Sequence, residues 1–138
     1  MISTESIDLI KRHEGKRLTP YRDTEGVLTI GYGRNLEKGI SDKLADYMLQ
    51  EDLQSVYRDC TLYDWYFDLN NPRRAVIDNM MFNLGIGRFN LFKKTIALLE
   101  KGDYDEASKE MLRSRWAVQV GNRAVELAEM MRTGEWTK

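Results

Sequence analysis

The sequence predicts an α+β chain that is mostly helical, with one small β-hairpin near its start. Leu18–Tyr21 and Val27–Ile30 are short apolar stretches around Asp23-Thr24-Glu25-Gly26. That link is hairpin-turn chemistry, with Asp favoured for its local backbone hydrogen bonds and Gly for positive φ. From Ser41 onward apolar residues recur at helical spacing, and Ser, Asp, Asn and Gly stand at the expected starts and stops. At 138 residues the chain is one domain by size, long enough for a real core and for two lobes. The natural division is a lobe of about 1–50, taking in the hairpin and a connecting helix, against a helical lobe of about 60–138, with a cleft between them.

Before the hairpin, Ser3 reads as the N-cap of a first helix, with Ile2 reaching over to Ile7 as a hydrophobic staple. Ile7, Ile10 and Glu14 share one face, which puts Glu14 on the apolar stripe, and Gly15 stops the helix. After the hairpin, Ser41 caps a long helix carrying Leu44, Met48, Leu49, Leu53 and Val56 to about Tyr57. The aromatic cluster over residues 61–69 reads as core packing. Asn71-Pro72 reads as a cap with Pro at N1, opening a helix to about Leu84 with Val76, Ile77, Met80 and Met81 inside. Gly85-Ile86-Gly87 should end it, and without a third glycine or a lysine it is no phosphate loop. A helix over Phe89–Glu100 should stop at Gly102, and Asp103-x-x-Glu106 should cap the next, to about Leu112. A short helix over Ser114–Gln119 and a last one capped by Asn122, to about Arg132, complete the chain.

Composition narrows the function. Hydrophobic residues at 42% and charged residues at 31% are ordinary for a globular protein. A net charge of −1 gives no global field toward nucleic acid or an anionic surface. Positive charge is grouped instead, at Lys11–Arg12, Lys16–Arg17, Arg73–Arg74, Lys93–Lys94 and Arg113–Arg115, mostly on solvated helix faces. A single cysteine, Cys60, excludes an internal disulfide framework, and with one histidine, His13, no Cys/His-rich metal site is expected. No apolar run reaches the ~20 residues of a membrane span. The first residues lack both a basic and an apolar region, so no signal peptide is expected and the chain should be made in a bacterial cytoplasm.

The residues with chemistry to offer lie between 12 and 33. Glu14, Asp23 and Thr29 supply an acid, a base and a small hydroxyl that can hold water. Two carboxyls suffice to hydrolyse a glycosidic bond, one protonating the leaving oxygen and the other activating water. A carboxyl on a buried face favours its protonated form, as a general acid requires. Taken singly, each residue also has a plain reading: Glu14 as a helix end pointing past the core edge, Asp23 as a turn residue, Thr29 as a β-branched strand residue.

In combination they resemble a known pattern. Eight residues separate Glu14 from Asp23 and five separate Asp23 from Thr29. That spacing, with Tyr21, Gly26, Ile30, Gly31 and Gly33 around it, is similar to the active-site region of phage T4-type lysozymes. Further matches follow in order: Met81–Gly85, Ser114-Arg115-Trp116, Asn122-Arg123-Ala124 and Arg132-Thr133-Gly134-x-Trp136. The chain is shorter than the family's type member, mainly between Gly33 and Ser41 and around residues 58–70.

The resemblance implies a lysozyme-like fold and a muramidase, an endolysin-type hydrolase of bacterial peptidoglycan that needs no cofactor or metal and acts as a monomer. It implies Glu14 as the acid, Asp23 as the group that orients or deprotonates water, Thr29 as its helper, and inversion at the anomeric carbon. Phe82 and Thr95 match substrate-lining positions, and Asn35 and Glu110 occupy two more where the residue type departs from the family. Arg123 matches an arginine set beside the catalytic Glu, a contact that would favour the ionised carboxylate and oppose the effect of burial. The acidic balance and Gly33-Arg34, in place of Gly-His, are further departures. Two other readings keep the fold: a lytic transglycosylase, which ends the reaction with an internal sugar hydroxyl, and a non-catalytic wall-binding module. Neither has a physical need for all of Glu14, Asp23 and Thr29.

Overall fold

The computed structural model of the chain describes residues 1–137. Two compact units emerge, Met1–Met48 and a second that begins at Leu49.

In the first unit, α1 (Thr4–Glu14) starts at Ser3, whose hydroxyl accepts the Ser6 N–H at 3.2 Å. Strands β1 (Arg17–Arg22), β2 (Leu28–Gly31) and β3 (Arg34–Asn35) form an antiparallel sheet in the order β1-β2-β3. Tyr21 faces Thr29 across β1 and β2, and Thr29 faces Asn35 across β2 and β3. Register slips between Arg17 and Tyr21, where Pro20 has no N–H to give; an edge strand tolerates that. A 3-10 turn over Leu36–Lys38 follows, then α2 (Asp42–Cys60), which Ser41 caps by accepting the Leu44 N–H at 3.1 Å. The division between the units falls within α2.

One expectation fails here. No residue of α1 is buried; Ile7 and Ile10 are 42% and 48% exposed, and Glu14 is exposed. The apolar stripe exists in the sequence, but a sheet with strands of six, four and two residues is too small to cover a helix face. Among the described residues of this unit only Thr29, on the middle strand, is buried.

The second unit holds the core. A 3-10 segment over Asp64–Asp68 buries Trp65 and Tyr66, as the aromatic run suggested, while Phe67 stays half exposed. The helix after it, α3 (Asn71–Phe89), is capped by Asn70 rather than Asn71 and carries Pro72 in its first turn. The apolar side chains of Val76, Ile77, Met80 and Met81 are fully buried. Gly85 ends the first stretch of α3 as expected, leaving the helix at φ 74° and ψ 162°; a separate short helical stretch then runs to Phe89, and the next helix, α4 (Lys93–Lys101), starts four residues later than expected. Asp103 caps α5 (Tyr104–Leu112) and Ser114 caps α6 (Arg115–Val120), both through side-chain oxygens. The last helix, α7 (Asn122–Thr133), begins at Asn122, with Gly121 as its N-cap and no side-chain cap.

Helix α5 packs on α4 and α7, and α3 packs on α7. Arg73 at the start of α3 donates from Nε to Met131 O at 2.8 Å and from Nη2 to Arg132 O at 3.0 Å, while Asn70 donates to Gly134 O at 2.9 Å. These bonds satisfy carbonyls that the end of α7 would otherwise leave unpaired. Gly134 is required there, because a Cβ would sit 2.8 Å from Arg73 Nη1. Below the surface, Tyr66 Oη donates to Asp78 Oδ1 at 2.6 Å. Burial, and then the Asp78 charge, push the Cys60 thiol up to about 12, so it is an inert core residue. Among the described residues no helix is long and apolar enough to cross a membrane, and no group of three or more His, Cys, Asp or Glu could hold a metal ion.

Candidate active site

The hairpin turn organises Asp23 and Thr29 around one residue, Val27. Asp23 Oδ1 accepts the N–H groups of Glu25 and Val27, each at 2.9 Å. The carbonyl of Val27 in turn accepts the Asp23 N–H at 2.9 Å and the Thr29 hydroxyl at 2.7 Å. Asp23 is therefore the turn residue the sequence suggested, but that duty uses Oδ1 and leaves Oδ2 without a partner among the described residues. Thr29 is 3% exposed and spends its proton on Val27, so its oxygen lone pairs remain free to accept. Asp23 and Thr29 are thus both tied to the backbone of one turn residue, Val27.

At the other end of the sheet, Gly33 separates β2 from β3 with φ at +73°. A Cβ built on it would lie 2.6 Å from Glu14 Oε2 and 3.4 Å from Glu14 Cδ. The carboxyl at the end of α1 thus rests directly on the Gly33 backbone. Gly33 gives Glu14 its place through both the missing side chain and the left-handed turn. Glycine at this position was visible in the sequence, but what it makes room for was not.

The remaining candidates each have partners of their own. Asn35 Oδ1 accepts the Glu37 N–H at 2.8 Å and so caps the 3-10 turn beside β3. Phe82 is 46% exposed on α3. Thr95 is buried at 4% exposure, in the wall of a cavity of about 640 Å³ that Glu110 also lines. Glu110 is held there by Arg113, with 2.9 Å between Oε1 and Nη1. Arg123 donates from Nε and Nη2 to Asn79 Oδ1 at 2.8 and 2.6 Å, which pins α7 to α3. Neither Phe82 nor Arg123 lines the Thr95 cavity. Sequence reading did not single out Asn79, and Asn83, which accepts the Trp116 indole N–H at 2.9 Å, entered only as part of the Met81–Gly85 match. Both are asparagines on α3 whose partners lie more than thirty residues on, and nothing local shows what they hold.

Comparison with known proteins matches this chain to a family. The phage lysozyme family model fits residues 11–132, which include Glu14, Asp23, Thr29 and the whole helical unit as far as α7. The chain belongs to the phage lysozyme family. It is 30% identical to a protein named probable T4-type lysozyme 1 from Dictyostelium discoideum, over 92% of this chain and 93% of that one. It is 34% identical to an endolysin of Acyrthosiphon pisum secondary endosymbiont phage 1, over 88% of this chain and 85% of that one. A pre-baseplate central spike protein, Gp5 of Enterobacteria phage T4, is 26% identical over 92% of this chain but only 27% of its own length. The family places this chain's small antiparallel sheet and helical unit within the lysozyme-like α+β fold.

Proposed function

We propose that this chain is an endolysin-type muramidase, hydrolysing the β-1,4 bond between N-acetylmuramic acid and N-acetylglucosamine in bacterial peptidoglycan. Glu14 gives its proton to the glycosidic oxygen as positive charge develops on the sugar ring. Asp23 Oδ2 takes a proton from water on the opposite face, and the Thr29 oxygen accepts a hydrogen bond from that water and fixes its direction. The products are a free hydroxyl on one sugar and a reducing end on the other, with the anomeric configuration inverted. Inversion needs the two carboxyls about 6.5–9.5 Å apart, with room for the water between. Phe82, Thr95, Asn35, Glu110 and Arg123 are the proposed contacts to the wall polymer. Released from the cell in which it is made, the protein acts on the wall as a monomer without cofactor or metal.

The observation that carries this reading is the double use of Val27, whose N–H holds the Asp23 carboxylate while its carbonyl holds the Thr29 hydroxyl. A turn needs only the first of these bonds. The second spends the hydroxyl's proton, and what remains is an acceptor suited to water. Glu14→Gln tests the reading, because it keeps the side-chain shape and removes the acid. Lysis of outer-membrane-permeabilised Gram-negative cells should disappear with the variant still folded. More than a few per cent of parental activity in a folded variant would remove Glu14 from its role.

A further inference from the structure

Strand β1 does not keep one register against β2. Arg17 faces Gly31, and an unbroken ladder from there would set Thr19 opposite Thr29. The slip before Tyr21 removes that pairing and sets Tyr21 opposite Thr29 instead, with Arg22 opposite Leu28 beyond it. Irregularities of this kind re-aim a side chain. Here the side chain brought beside Thr29 is an aromatic ring, in place of a second small hydroxyl.

Residues directly opposed on an antiparallel ladder share a face, with Cβ atoms about 4.5–5.5 Å apart. Tyr21, Thr29 and Asn35 therefore form one row across the three strands, with Thr29 in the middle. Among the described residues of this unit only Thr29 is buried, and the row accounts for that through neighbours in its own sheet. Both neighbours are themselves held. Asn35 Oδ1 accepts the Glu37 N–H at 2.8 Å. The half-buried Tyr21 ring carries the Arg17 guanidinium, whose Cζ lies 4.4 Å from the ring centroid, within the range of a cation–π contact. The slip makes that contact easy. Arg17 and Tyr21 stand opposite Gly31 and Thr29, two residues of β2, or about 7 Å, where a regular strand would set them about 13 Å apart.

We propose that Tyr21, locked by Arg17, is a positioning residue for the Thr29 hydroxyl. The proposal rests on the muramidase reading, in which the Thr29 oxygen directs the attacking water. The ring closes one side of Thr29 and keeps bulk solvent from competing for its hydroxyl. The hydroxyl proton then stays on the Val27 carbonyl, and the oxygen lone pairs keep one direction. Tyr21 acts through Thr29, with no contact of its own to the water or the sugar.

The test measures kcat and KM of the full chain on soluble peptidoglycan fragments, with thermal melting of each variant to establish that it is folded. Tyr21→Phe keeps the ring and should match the parent. Tyr21→Ala should lower kcat about tenfold, the usual effect of losing one hydrogen bond, with KM close to the parent's. Arg17→Met keeps an unbranched side chain and removes the charge, leaving the ring unlocked. It should lower kcat about two- to fivefold, the range of an exposed cation–π contact. In a Thr29→Val background neither Tyr21→Ala nor Arg17→Met should cost further activity, an outcome that a merely structural role would not produce. If Tyr21→Ala does not fold, Arg17→Met decides in the same two backgrounds. The proposal is overturned if folded Tyr21→Ala or Arg17→Met turns over like the parent, or if Tyr21→Phe loses as much as Tyr21→Ala. It is equally overturned if the loss falls on KM, or persists undiminished with Thr29→Val. A silent Tyr21→Ala beside an impaired Thr29→Val removes the role of Tyr21 alone. A Thr29→Val protein with parental kcat removes that role together with the water-directing role of Thr29.

Discussion

Adding one methyl group at Gly33 should disable Glu14 without unfolding the chain. A Cβ there would stand 2.6 Å from Glu14 Oε2, and the oxygen would have to retreat by about 0.8 Å to reach ordinary contact. The obstructing atom is the free end of a flexible side chain, so the clash is relieved by moving the carboxyl rather than the backbone. The stability cost of Gly33→Ala therefore comes mainly from holding alanine at φ +73°, about 1–2 kcal/mol. Against a typical total of about 5–15 kcal/mol, that leaves the protein folded at 25 °C. The catalytic cost should be larger, because a displacement of about 1 Å in a reacting group can lower the rate about 100-fold. Turnover on purified peptidoglycan and thermal melting, measured on the same samples, separate the two effects. In a Glu14→Gln background the alanine should lower the melting temperature much as before and cost no further activity. A Gly33→Ala protein that melts lower but turns over like the parent would refute the idea that this glycine seats the acid.

Asp23 gives a sharper test as Asn than as Ala, because Asn keeps an oxygen for the Glu25 and Val27 amides and removes only the charge. Asp23→Asn should melt with the parent and lose about 10²–10⁴-fold in turnover, as expected for a positioned base; Asp23→Ala should lose thermal stability as well. Alkaline pH should destabilise the second unit. The Cys60 thiol, with an ordinary value of 9.0, is pushed up to about 12 by burial and by Asp78, and the Tyr66 hydroxyl is raised by burial and its bond to Asp78. The unfolded chain then releases these protons before the native one does. Stability is full below pH 9 and declines as pH rises toward 12, by about 1.4 kcal/mol per pH unit for each group released only on unfolding. Chemical denaturation from pH 8 to 11 should show this slope, and Cys60→Ala should make it shallower from pH 9 upward.

Much of the fold was legible because its signals are local. The helix starts at Ser3, Ser41, Asp103 and Ser114 are each made by a side chain bonding an amide three residues on, so the sequence that encodes them is the sequence that forms them. Asn70 and Asn71 were harder to tell apart, since either can cap and Pro72 is tolerated anywhere in a first turn. Gly85 was legible as a stop and takes a positive φ, but the short helical stretch beyond it, which carries Phe89 into the core, had no separate signal of its own. Periodicity misjudged Glu14 because it reports which face is apolar, not whether enough structure exists to cover that face. Within the candidate site, the residue types of Glu14, Asp23 and Thr29 and their spacing were readable. What was not readable was how they are held, through the backbone of Val27 and the bare Cα of Gly33, since neither position shows a functional side chain. The gathering of Lys93, Lys94, Arg113 and Arg115 around the cavity that Thr95 lines was equally invisible, being a product of how distant helices pack.

Mass spectrometry of peptidoglycan digested in ¹⁸O-labelled water asks directly whether Asp23 and Thr29 deliver water to the sugar. Hydrolysis should give fragments ending in reducing N-acetylmuramic acid with one labelled oxygen incorporated. Anhydro-muramic ends without label, or no fragments from a folded protein, would contradict a water-using muramidase.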